Sequence, residues 1–146
     1  MKIFPRLGVL GLLLSTLAGC ATGSSLTSMR DKIPPIPAGE GRIWFYRSSS
    51  PFGAAIQPSV NLNGKKVGES VPGGFFYVDT VPGPCVVTTA TETDYSVKFV
   101  LDAAQERFVR TVIRMGVLVG RVAPELVDAD EARRDIAGKS YTGPPL

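Results

Sequence analysis

Two thiols and no imidazole set the limits on what this chain can do chemically. Its 146 residues include Cys20 and Cys85 and no histidine. The usual general base near neutral pH and the commonest metal ligand are therefore missing. A Ser-His-Asp or Cys-His pair cannot be assembled within the chain, and one or two thiols without imidazole do not make a zinc site. Cys85 lies in Cys85-Val86-Val87, which reads as a strand. Unpaired cysteine is among the most buried residue types, so Cys85 is expected in the core rather than as a nucleophile. A cysteine left without an intramolecular partner could also pair between molecules. Gly138-Lys139-Ser140 mimics the end of a phosphate loop. The first glycine required there falls on Arg133, and a helix precedes it rather than a strand. Asp128, Asp130 and Glu131 fail as a calcium loop, because Ala132, Arg133 and Lys139 stand where a ligand, a glycine and a glutamate are needed. They suit helix capping instead. Paired carboxylates about 5–10 Å apart could cleave a glycan, but Glu69, Asp79, Glu92 and Asp94 read as solvated strand-end and loop acids. Ser48-Ser49-Ser50 is a polar loop without a base. No catalytic residue, metal ligand or cofactor is expected.

Cys20 is the residue with a chemistry of its own. Lys2 and Arg6 open the chain, Leu7–Leu17 is an apolar run, and small residues lead into Leu17-Ala18-Gly19-Cys20. A membrane-spanning helix needs about 20 apolar residues, so this shorter run reads as a secretory segment, residues 1–19, removed to leave Cys20 first. Leu17-Ala18-Gly19-Cys20 resembles the lipobox of bacterial lipoproteins. The resemblance implies diacylglycerol on the Cys20 sulfur, cleavage before Cys20 and acylation of its amine. Two acyl chains give stable membrane anchoring. Ala21 in place of aspartate implies, by the same resemblance, transfer to the outer membrane of a Gram-negative host.

Processing changes the charge. The formal balance of +3 comes from 16 basic and 13 acidic residues, and loss of Lys2 and Arg6 brings it to about +1. With no run of like charges, nucleic acid is not an expected partner.

The elements follow from turn chemistry and alternation. Residues 20–40, with Gly23-Ser24-Ser25 and Pro34-Pro35, read as a lipidated cysteine and loose tether, which as a coil would span roughly 25 Å. Residues 41–138 read as one β-sandwich domain, and residues 139–146 as a frayed tail. Strands are expected at Arg42–Arg47, Ser59–Leu62, Lys65–Gly68, Phe75–Asp79, Cys85–Thr91, Tyr95–Leu101 and Arg107–Met115, with a last one running from Val117 towards Val127. Asn63-Gly64 fits a two-residue hairpin turn. Asp128–Ala137 has helix character, with Ala132 and Ile136 on one face and Gly138 placed to stop it. Seven or eight short strands point to an antiparallel sandwich with a short C-terminal helix.

Aromatic residues mark the candidate binding surface. Trp44 and Tyr46 share one face of the first strand and Ile43 and Phe45 the other; Phe75 and Tyr77 oppose Phe76 and Val78 in the same way. If one face is core, Trp44, Tyr46, Phe75 and Tyr77 beside Arg42 or Arg47 form an exposed strip for a glycan or a protein. If the C-terminal helix or the tether covers that face, the strip is interior.

Gly41-Arg42-Ile43-Trp44-Phe45-Tyr46-Arg47, Val60-Asn61-Leu62-Asn63-Gly64-Lys65-Lys66-Val67-Gly68, Phe75–Asp79, Val81-Pro82-Gly83 and Glu125-Leu126-Val127 occur in that order. The combination resembles a bacterial lipoprotein family, domain of unknown function two-eight-four-six, and its turns resemble PEGA-type surface β-domains. Pro84-Cys85 departs from that pattern, where a polar residue and then an aromatic are expected. The resemblance transfers no catalytic residue. The expected protein is a lipid-anchored envelope module that binds or scaffolds without catalysis, its partners being the membrane through Cys20 and an envelope protein or glycan. A carboxylate hydrolase of cell-wall glycan and a subunit of an envelope complex are the alternatives.

Overall fold

The computed structural model describes residues 21–91, 95–115 and 120–146. Cys20 and the secretory segment lie outside the described residues, as do Glu92, Asp94 and Val117–Val119. Among the described residues nine strands form two sheets: β1 (Gly41–Arg47), β2 (Ser59–Leu62), β3 (Lys65–Glu69), β4 (Gly74–Thr80), β5 (Gly83–Thr89), β6 (Tyr95–Leu101), β7 (Glu106–Arg114), β8 (Arg121–Val127) and β9 (Ser140–Tyr141). One sheet has the order β8-β7-β1-β4-β9, the other β3-β2-β5-β6. The described residues also form two helices, α1 (Leu26–Met29) and α2 (Ala129–Ile136), and a 3₁₀ turn, Arg30–Lys32, follows α1. The sandwich is as expected. It is not wholly antiparallel, because β1 pairs parallel with β7 and β4 pairs parallel with β9.

The period-two alternation of β1 places its side chains in two separate cores. Ile43 and Phe45 join Val60, Leu62, Phe76, Cys85, Val87, Leu101 and Val109 between the sheets. Trp44 and Tyr46 point the other way, into a second cluster with Phe75, Phe108, Met29, Ala132 and Ile136. Two helical segments thus form a third layer over the five-stranded sheet. Cys85 fills a core position despite the Pro84-Cys85 departure. Gly68 is a packing requirement: an added Cβ would stand 2.5 Å from the Phe76 ring. At the hairpin tip, Asn63 and Gly64 adopt φ of 49° and 82°, the left-handed pair that a two-residue turn demands. The Asn63 side chain accepts from the Val86 amide at 2.8 Å, tying the turn to β5.

Two segments correct the expected boundaries. The loose tether over residues 20–40 is, from Ala21 on, a strap folded against the sheet. Met29 is buried, and Leu26 and Ile33 pack beside it. Ser25 caps α1 and accepts from the Ser28 amide at 3.2 Å. The strap stays down because apolar side chains at Leu26, Met29 and Ile33 reach the aromatic face. The frayed tail over residues 139–146 contains β9: Ser140 donates to Gly73 O at 2.9 Å, and Tyr141 donates to Ser24 O at 2.8 Å. Tyr141 packs on both apolar clusters, which holds the segment in place. At the other end of the expected domain, Asp128 caps α2 by accepting from the Asp130 amide at 3.0 Å.

Both arginines of β1 are buried, and each is satisfied differently. Arg42 Nε and Nη2 donate to the Asp79 carboxylate at 2.7 and 2.8 Å, and Nη2 also reaches Pro34 O at 3.0 Å. Its hydrogen bonds to the Asp79 carboxylate hold the Arg42 pKa above its ordinary value although burial opposes this. Among the described residues no carboxylate pairs with Arg47. Its Nη1 donates to Ile56 O at 2.6 Å and Ser70 O at 3.0 Å, and its Nη2 to Gly53 O at 2.8 Å. Burial pushes its pKa down, and three backbone carbonyls supply what a counter-ion would. A lysine cannot present this planar fork. Arg47→Lys should therefore lower stability by about 2 kcal/mol, the scale of a lost hydrogen bond to a charged group, read by urea unfolding; an unchanged midpoint would mean that the fork is dispensable.

Candidate functional site

The aromatic residues lie where alternation places them, but they are not an open strip. Trp44 is 7% exposed, Tyr46 2%, Arg47 2% and Phe75 0%; Tyr77 is half-buried. Of the two readings of this face, the covered one holds, and Trp44, Tyr46, Arg47, Phe75 and Tyr77 do not form an exposed binding surface. The strap and α2 cover it, and Arg47 holds the loop after β1 rather than facing outward. What remains accessible is a groove between the two covering segments.

That groove has a cavity volume of about 310 Å³ and is lined by Leu26, Ile33, Trp44, Phe108 and Ile136, with Arg30, Glu106 and Arg133 among its polar residues. The strap supplies one wall, α2 the other, and β1 and β7 the floor. The Trp44 and Phe108 rings are 6.2 Å apart and nearly parallel, at 5°. Glu106 joins floor to wall: Oε1 accepts from Trp44 Nε1 at 2.8 Å and Oε2 from Arg133 Nη2 at 3.0 Å. The Arg133 guanidinium also lies 5.5 Å from the centre of the Phe108 ring, within cation–π range.

A second ionic cluster fixes α2 on the sheet. Arg110 on β7 reaches Glu125 at 2.7 Å, Glu131 at 2.8 Å and Asp135 at 3.1 Å. Burial opposes its charge, but the hydrogen bonds it donates to Glu125 and Glu131 outweigh this and raise its pKa. Tyr46 donates to Asp135 at 3.3 Å; burial, aided by that carboxylate, pushes its phenol well above the usual range. Apolar Ala132 and Ile136 point inward while these charges secure the rim. Sequence reading did not find Glu106, Phe108, Arg110 or Arg133. The signal available was the inward pair on α2, which requires a partner face.

Of the acids weighed for glycan chemistry, the two described ones, Glu69 and Asp79, are not brought together. Glu69 ends β3 and pairs with Lys66 at 2.8 Å. Asp79 belongs to the other sheet, at the end where β1 begins, and is held by Arg42. Glu92 and Asp94 lie outside the described residues. Cys85 is buried, its Sγ 3.6 Å from Gly83 O, and burial pushes its thiol pKa up, the reverse of an activated nucleophile. Among the described residues no group of three or more His, Cys, Asp or Glu side chains could hold a metal ion. An aromatic floor with an acid and cations at the rim suits binding of a flat or apolar group that carries polar substituents.

A family model described as Protein of unknown function (DUF2846) matches residues 37–122. The chain belongs to that family. It is also similar to an "Uncharacterized protein" of Haemophilus influenzae, 28% identical over 145 residues, which takes in 93% of this chain and 83% of the relative. No solved structure matches. The DUF2846 match covers Trp44, Glu106 and Phe108 on the groove floor. It stops short of the strap residues Leu26, Arg30 and Ile33 on one side and of Arg133 and Ile136 on the other.

Two outcomes follow from this geometry. Phe108→Ala removes the ring between Trp44 and Arg133 and should cost about 3–4 kcal/mol; emission from Trp44, the single tryptophan, should shift to the red, and an unshifted spectrum would contradict the packing. In a Cys20→Ala background at pH 8, Cys85 should resist a disulfide-forming thiol reagent in the native state and react fully in urea. Fast native labelling would place the thiol at the surface.

Proposed function

We propose that this DUF2846 protein is an exported, lipid-anchored cell-envelope lipoprotein whose β-domain binds or scaffolds a partner without catalysis, the groove over Trp44 and Phe108 being its contact. The observation that carries this reading is the run Leu17-Ala18-Gly19-Cys20 leading straight into a folded strap. Ala21 already donates a backbone hydrogen bond to Pro72 O at 3.3 Å, so an acyl group on Cys20 holds the body against the bilayer with no spacer. None of the described helices is long and apolar enough to cross a membrane, and lipid on Cys20 supplies an attachment that needs none. A non-catalytic role is supported by the absence of histidine and by a groove carboxylate, Glu106, with both oxygens engaged. In a Gram-negative host, Ala21 favours the outer membrane, and the partner is an envelope protein or glycan.

Metabolic labelling with a radioactive or clickable fatty acid tests the anchor. The wild-type protein should carry label and fractionate with membranes, and Cys20→Ala should carry none and remain unprocessed. An unlabelled wild-type chain would overturn the reading.

A further inference from the structure

Exposed apolar side chains lie at both ends of the sandwich, but only one end brings them together with the anchor. At the end where β1 leaves for Ser48, Ala21 is bonded to Pro72, and Gly73 donates to Arg47 O at 3.1 Å. The strap therefore begins at this end. β7 runs parallel to β1, with Thr111 opposite Arg47, and continues to Arg114, which pairs with Arg121 of β8. Three residues past β1 at about 3.3 Å each carry this hairpin roughly 10 Å beyond it. Met115 follows and is 80% exposed. The loop after β1 leans on the hairpin: the ring of Phe52 lies 3.9 Å from where a Cβ would stand on Gly120, and Ile113 packs against Gly53. Phe52 is itself 55% exposed. Arg114 reaches Glu125 only at 3.6 Å, and among the described residues Arg121 makes no ion pair.

Buried cations elsewhere in this protein are matched by carboxylates or carbonyls, and large apolar side chains are mostly interior. Phe52 and Met115 break that pattern at the end from which the anchored terminus emerges, and Val81 and Val100 break it at the opposite end, away from the anchor. We propose that this end is a membrane-contact surface: Phe52 and Met115 enter the headgroup region of a phospholipid bilayer, with Arg114 and Arg121 level with the phosphates. The inference rests on the acylation of Cys20 proposed above, which brings that surface to the lipid. Apolar side chains with nearby cations favour such an interface. The contact fixes orientation rather than adding much affinity, because the acyl chains already anchor. It also sets the groove: Glu106 opens β7 at the far end from Met115, so the groove is held away from the lipid.

The test is depth-dependent quenching by brominated phospholipids of the acylated full chain in phosphatidylethanolamine–phosphatidylglycerol vesicles. Phe52→Trp, Met115→Trp and Val81→Trp are compared, with buried Trp44 as the common background. Val81 is 70% exposed and lies in the β4–β5 connection at the opposite end. Added emission at 52 and 115 should be blue-shifted and quenched, and that at 81 unaffected. Equal quenching at all three positions, or quenching at 81 alone, would overturn the contact while leaving the anchor standing. Should fatty-acid labelling fail, the anchor is refuted. The unacylated chain with the same vesicles then decides the contact: quenching at 52 and 115 retains it, and none at any position removes it.

Discussion

Burial of β1 on both faces is the constraint from which the rest of the architecture follows. All seven residues from Gly41 to Arg47 are buried, so this strand cannot sit at the surface of an ordinary two-layer sandwich. One face requires the four-stranded sheet. The other requires a cover, which the chain assembles from its two extremities, the strap and α2 with β9. The arginines at either end of the strand add a second demand. An unpaired buried guanidinium is costly, so Arg42 recruits Asp79 and Pro34 O, and Arg47 recruits the loop between β1 and β2. These contacts turn one strand into the organiser of both layers.

Alternation along β1 and β4 made the two-faced packing readable, because side-chain direction in a strand has a period of two. The Asn63-Gly64 turn and the Asp128 cap were readable for the same local reason, as each depends on a few consecutive residues. The parallel β1–β7 pairing was not. Its partners are about sixty residues apart, as Trp44 and Glu106 show at a separation of 62, and no turn signal joins them. The strap was hidden by composition. Its helix has four residues, too few to display a helical period, and Pro34-Pro35 beside Gly and Ser suggests an extended linker. β9 is two residues long and precedes Gly143-Pro144-Pro145. Such short elements exist because a tertiary surface awaits them, not through propensity.

The candidate site shows the same division. Trp44 was legible as aromatic and alternating, yet its accessibility depended on segments that come from elsewhere in the chain. Glu106, Phe108 and Arg133 have no motif; the fold alone brings them together. Their ionic links are partly exposed and individually modest. Their arrangement matters more, since the Glu106 bridge to Trp44 and Arg133 and the Arg110 cluster fix α2 at a set distance from the sheet and leave the groove as the remaining gap.

The strap has a mechanical consequence. It enters the body at Ala21, is stitched to β9 by Ser24 and Ser25, and only then continues into the strand at the centre of the sheet. A pull on the N-terminus reaches those stitches before it reaches β1, and peeling would proceed through Leu26, Arg30 and Ile33. Those residues form one wall of the groove. Tension between the body and whatever holds its N-terminus would therefore dismantle the groove first, with both sheets still folded.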